Sequence, residues 1–163
     1  MRALRGDLLS FVIERATRAT PEVMGLLEAL NEALSEGYTA EQRHALSVDQ
    51  LFQPPVRFFI ARSGAEAVAC GGVAFLDGFA ELKRMFAKPA VRGTGVSAAM
   101  LKHLEDEARQ SGETILRLET GMYQKEALRF YEKSGFRRCE AFGAYRDLPA
   151  QSITTSVFFE KQL

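Results

Sequence analysis

Between Glu81 and Thr120 an extended segment passes through Gly93 and Gly95 into a long amphipathic helix, and the chain leaves that helix in a second alternating segment. Few folds accept that order of elements. From about Gly93 to Gln110, Val96, Met100, Leu104 and Ala108 form one row, with Leu101 beside it, and Ser111-Gly112 is a helix stop. An apolar row of that length must lie on a sheet. The alternation of Ile115 to Thr120 then predicts a strand parallel to the one before the helix, reached by a right-handed connection.

The turn into this helix has its own chemistry. Gly93 and Gly95 can adopt backbone conformations closed to other residues, and the first helical turn leaves N–H groups unpaired and pointing outward. With Arg92 beside them they form an anion site, and a phosphate fits it. The stretch has no lysine of the GxxxxGK[ST] kind and two glycines where a dinucleotide fingerprint needs three, so neither ATP nor NAD is the expected ligand.

Upstream, Phe11 to Ala16 reads as a strand, and Thr20-Pro21-Glu22 carries the signals of a helix start. Val23, Leu26, Leu27, Leu30 and Leu34 follow at helical spacing, and Tyr38 to Leu51 holds another short helix or two. Val56–Ala61, Ala67–Phe75 and Ala80–Ala87 are separated by Ser63-Gly64 and Asp77-Gly78, which predicts an antiparallel meander. Gly71-Gly72 inside the middle strand predicts a bulge or a close backbone approach. A helix from about Gln124 to Ser134 and a last strand over Thr155–Lys161 complete one domain over residues 1–163. The expected class is α/β, with a mixed, mostly antiparallel sheet and helices on both faces.

Met85-Phe86-Ala87-Lys88-Pro89-Ala90-Val91-Arg92-Gly93-Thr94-Gly95-Val96-Ser97 resembles the acyl-CoA-binding motif of the GNAT acetyltransferase superfamily, Arg/Gln-x-x-Gly-x-Gly/Ala, with Ser97 in place of glycine or alanine. Gln124 to Phe136 resembles the second signature, Asn-x-x-Ala-x-x-x-Tyr-x-x-x-Gly-Phe, with Gln124 for asparagine and Tyr131 as the tyrosine. The resemblance implies a βαβ acyl-CoA-binding core with acetyl-CoA as co-substrate. Arg92, Gly93, Thr94, Gly95, Val96 and Ser97 would hold the pyrophosphate, the edge of Met85, Phe86 and Ala87 would take the pantetheine arm, and Gln124 would add a cofactor contact. It further implies that Tyr131 lies near the thioester sulfur as the acid, that a strand carboxylate, here Glu81, serves as base in some members, and that Tyr38 to Leu51 walls the acceptor.

Acyl transfer to an amine needs a base, oxyanion donors and an acid for the departing thiolate. Glu81 lies four residues before Met85, which on a regular strand puts both on one face; an exposed carboxylate paired with Lys83 is the competing reading. For Tyr131 the competing reading is a core aromatic. Backbone N–H groups near Met85 and Phe86 are the expected oxyanion donors. Lys83 and Arg84 are adjacent, so alternation sends them to opposite faces of a strand that a covered sheet should keep apolar. Either internal ion pairs to Glu81 or Glu119 absorb them, or Lys83 or Arg84 holds an anion on the substrate, with Tyr145 and Arg146 completing that wall.

Lys and Arg together number 21, as do Asp and Glu, so no charge excess points to nucleic acid or an anionic membrane surface. Cys70 and Cys139 are too few for a disulfide framework, have no metal spacing with His44 or His103, and are weak candidates for an acyl-carrying nucleophile. No metal is expected, and His103 is expected at the surface. Met1 to Asp7 includes an acid and no long apolar run, which predicts a cytoplasmic protein; a homodimer is left open. The expected activity is acetyl-CoA-dependent N-acetylation of a primary amine, that of a small molecule. The alternatives are a protein N-acetyltransferase and a non-catalytic acyl-CoA-binding regulatory module.

Overall fold

A computed structural model describes residues 10–163; the Met1 to Asp7 stretch lies outside the described residues. Strands β1 (Phe11–Ala16), β2 (Val56–Ser63), β3 (Glu66–Leu76), β4 (Phe79–Ala87), β5 (Ile115–Gly121), β6 (Arg137–Cys139) and β7 (Ser156–Gln162) form one sheet in the order β1-β2-β3-β4-β5-β7-β6. Among the described strands only β4 and β5 run parallel, and α3 (Val96–Gln110) connects them. The remaining helices are α1 (Pro21–Ser35), α2 (Val48–Leu51), α4 (Lys125–Lys133) and α5 (Ala150–Ile153). Thr20 caps α1 by accepting from the Val23 N–H at 3.3 Å. The strand β6 and helix α5 were not expected from the sequence.

The helices divide between the two faces. Met100, Leu101, Leu104 and Ala108 of α3, with Tyr131 of α4, bury against Phe59, Val73, Leu82, Leu116, Leu118 and Phe159. On the other face Val23, Leu26 and Leu27 of α1 and Leu51 of α2 cover Phe58, Ile60, Cys70 and Ala74. A third, smaller cluster of Phe79, Phe142, Tyr145 and Phe158 closes the β5–β7 end.

The meander has one irregularity that shapes the site. Between the pairs Cys70↔Phe86 and Gly72↔Lys83, β3 advances two residues while β4 advances three. The extra residue in β4 is a bulge, and Arg84 sits there with φ +55, an unusual value for a residue with a side chain. A bulge reverses which residues share a face beyond it. Glu81 pairs with Ala74 on the α1 face, whereas Met85 packs with the core under α3, close to Gly71. Glu81 and Met85 are therefore on opposite faces, contrary to the alternation expected for a regular strand. Lys83 and Arg84, expected on opposite faces, both reach toward the α1 side: Lys83 to Glu81 and Tyr145, and Arg84 to Asn31 of α1 and the Leu46 carbonyl.

Candidate active site

β4 and β5 pair only at Ala80↔Leu116 and Glu81↔Arg117, and past that point the strands separate. From Lys83 to Ala87 one edge of β4 has no strand partner, so its backbone groups are available to an extended, amide-bearing chain. Two clefts open there. One is lined by Met85, Phe86, Ala87, Arg92, Gly93, Gly95, Val96 and Ser97; the other by Glu81, Lys83, Arg84, Glu119, His44 and Tyr145. They share Leu30, Leu34, Met85, Gln124, Ala127 and Tyr131.

The first cleft has the features of an anion cradle. Gly93 and Gly95 hold φ values of +79° and +91°, and a side chain added at either would meet nothing within 4 Å. The first amide to close back into α3 is that of Ala99, onto the Gly95 carbonyl at 3.0 Å, which leaves those of Val96, Ser97 and Ala98 free at the helix mouth. Arg92 is tethered by its Nε to the Ala87 carbonyl at 3.3 Å. An open, donor-lined, cationic loop fits a pyrophosphate. Thr94 turns its hydroxyl back onto the Val91 carbonyl and does not line the cleft.

At the junction stands Tyr131, 7 % exposed, its ring edge-on to Phe130 and Phe136 and tilted to Phe159. Its hydroxyl makes no hydrogen bond among the described residues. Burial holds the phenol well above its usual range. Gln124 flanks it as the residue preceding α4, with its side chain uncommitted to the helix end.

The second cleft carries a cluster of charges on the α1 face. Glu81, 3 % exposed, lies 2.6 Å from Lys83 Nζ and accepts from the Tyr145 hydroxyl at 2.8 Å, while Lys83 also donates to Tyr145 at 3.1 Å. Burial, then the neighbouring carboxylates, push the Tyr145 phenol up. Glu119, two residues along β5 from the partner of Glu81, has no ion pair among the described residues, and burial pushes its carboxyl up to about 7 against the pull of Lys83. The sequence singled out Glu119 only as a partner for a cation.

The segment after α1 closes this cleft. The Tyr38 hydroxyl accepts from the Tyr123 N–H at 2.9 Å, and its ring lies against Gly121, where any side chain would overlap it. His44 Nε2 is 2.8 Å from the Ser152 carbonyl, and its ring stands edge-on to Tyr145 at 5.5 Å.

Arg146, expected in this wall, is exposed, donates to the Ala141 carbonyl at 3.3 Å and does not line the cleft. Cys70 is buried, donates to the Arg84 carbonyl at 3.3 Å, and its thiol is pushed by burial up to about 12, which rules against a thiolate nucleophile. Cys139 and His103 line neither cleft; His103 packs edge-on to Phe59 at 4.5 Å. No helix among the described residues is long and apolar enough to cross a membrane.

A sheet splayed after its parallel pair, with an open loop at the mouth of the crossover helix and a second cleft meeting it, is the arrangement of a two-substrate transferase, and similarity to known proteins makes it an acyltransferase. The sequence model of the acetyltransferase (GNAT) family matches residues 24–136, and the chain belongs to that family as an N-acetyltransferase. It is 38% identical to the IAA acetyltransferase of Azospirillum brasilense over 93% of this chain and 97% of that protein. A Klebsiella pneumoniae structure provisionally described as an acyl-CoA N-acyltransferase is 32% identical, with a TM-score of 0.77 over 94% of this chain and 97% of the other. A GNAT acetyltransferase from Elizabethkingia anophelis, solved with acetyl-CoA bound, shares the fold at 18% identity and a TM-score of 0.64, over 94% and 98% of the two chains.

Proposed function

We propose that the protein transfers the acetyl group of acetyl-CoA directly to the primary amine of a small molecule. The observation that carries this reading is the shared wall: the acyl-CoA cleft and the acceptor cleft meet at Met85 and Tyr131, so an amine entering from one side reaches a thioester entering from the other. The small size of the acceptor is supported by the Tyr38 and His44 contacts, which tie the covering segment to Tyr123 just after β5 and to α5 and so wall the cleft on that side. The name of the Azospirillum relative points the same way.

In this reading Arg92 and the α3 amides hold the pyrophosphate, and the open β4 edge holds the pantetheine arm. Glu119 takes the ammonium proton, and the freed amine attacks the acyl carbon. Backbone N–H groups near Met85 and Phe86 bear the developing oxyanion. As the C–S bond breaks, Tyr131 gives its proton to the thiolate, and the proton left on the attacking nitrogen departs through solvent, from which Tyr131 recovers one. Burial weakens Tyr131 as an acid, but the same dry cleft makes the leaving thiolate more basic, so the two shift together. Glu81, expected as the base, instead braces Lys83 and Tyr145.

The direct test is release of free CoA thiol from acetyl-CoA across a panel of small amines and amine-bearing peptides. Acceptor-dependent release with small amines is expected; release with peptides alone overturns the small-molecule reading. Gly95→Asp tests the loop, because it would set a carboxylate at the amides meant for the pyrophosphate and a side chain on a backbone whose φ of +91° disfavours one. Calorimetry should give acetyl-CoA binding weaker by well over tenfold, roughly 1.4 kcal/mol or more, and parent-like affinity removes the loop from the cofactor site.

A further inference from the structure

Two charged residues of the acceptor cleft, Glu119 and Arg84, have no ion-pair partner among the described residues. Lys83 is matched by Glu81 at 2.6 Å. Arg84, which lines the same cleft, has no carboxylate within ion-pair distance among the described residues. Its guanidinium donates to Asn31 Oδ1 at 2.5 Å and to the Leu46 carbonyl at 3.4 Å, both neutral, and its Nε is buried without a partner. Two of the five N–H donors of an arginine are thereby used. Half-burying a cation without a counter-charge is unfavourable, and burial does press on this guanidinium. The backbone beneath it adds a second cost, since φ +55 at a residue with a side chain is strained and such strain gathers at functional sites. The bulge delivers the arginine to the α1 side beside Lys83, where a regular strand would have turned it to the α3 core.

We propose that Arg84 binds an oxyanion, a carboxylate or phosphonate, carried by the acceptor, so that the preferred substrates are amino acids or similar amino-anions. This rests on the reading of the cleft as the acceptor site. Glu119 on β5 and Arg84 on β4 line the same cleft, so an acceptor whose ammonium lies at Glu119 would present its anion to Arg84. A fork-shaped guanidinium suits either oxyanion by paired, charge-assisted hydrogen bonds, and that contact positions the amine without taking part in proton transfer.

The experiment measures acetyl transfer to amino carboxylates and amino phosphonates of graded length, and to the uncharged alkylamines and amino esters of the same lengths. The protein is compared with Arg84→Gly, which tolerates the backbone at that position, and Arg84→Lys, which keeps the charge. KM for the anionic acceptors is expected to rise about 10- to 100-fold in Arg84→Gly, with kcat and the acetyl-CoA KM little changed and uncharged acceptors unaffected, and to recover in part in Arg84→Lys. Which anion shows the larger effect separates carboxylate from phosphonate. Calorimetric titration of the same anions onto the protein with CoA supplies a readout independent of turnover. Arg84-dependent binding without thiol release from any amine would remove the transfer reading and leave the anion site standing. Turnover indifferent to the anion, or an unchanged preference in Arg84→Gly, overturns the anion site alone.

Discussion

Tyr131→Phe is expected to bind acetyl-CoA as the parent does and to turn over about 10²–10⁴-fold more slowly, the usual worth of a positioned acid. The substitution removes one oxygen and leaves the ring in its apolar nest of Phe130, Phe136 and Phe159. Stability should hold, because the hydroxyl makes no hydrogen bond among the described residues whose loss would be felt. Single-turnover rates and acetyl-CoA affinity measured together check this. A variant as fast as the parent, with chemistry shown to be rate-limiting, would make Tyr131 a core residue and nothing more.

Glu119→Gln is expected to cost about as much, 10²–10⁴-fold at pH 8, and to erase an acid limb in the rate profile. A base must be ionised to act, and the Glu119 carboxyl is pushed up to about 7, so the parent's rate should climb with pH and level off above that value. The same shift has a stability sign. A carboxyl whose folded value lies above its unfolded one favours folding below the ordinary carboxylate range, and that contribution is lost as pH rises through about 7. Glu119→Gln should therefore melt higher than the parent at pH 8 and about equally at pH 4. Retention of the acid limb, together with its loss in Glu81→Gln, would return the base to Glu81.

The meander and the crossover unit were legible because each turn carried a local signal: Gly64 and Gly78 take positive φ at the two hairpins, and Gly112 and Gly135 do so after α3 and α4. Three residues of β6, two of them exposed arginines, have no periodicity to read, and α5 is a single turn. The loop and Tyr131 could be proposed from the sequence because their motifs are contiguous. Glu119 could not be singled out, since what raises its carboxyl is burial in a cleft built from distant segments, and alternation along β5 says nothing of that. Arg84 misled for a different reason. Positive φ is written into sequences as glycine or asparagine, and an arginine in that conformation gives no warning that the strand changes face beneath it.

That change of face gives β4 two separate inheritances. Before the bulge, Glu81 and Lys83 line the cleft on the α1 face; after it, Met85 and Ala87 pack into the core beneath α3. On the proposed reading, variation in Tyr38 to Ala45, which line the second cleft and not the first, would recast what the enzyme acetylates while the α3 packing stays untouched. A lineage built on this strand is free to diversify its acceptors at little risk to its chemistry, whereas losing a single residue between Lys83 and Met85 would move both at once.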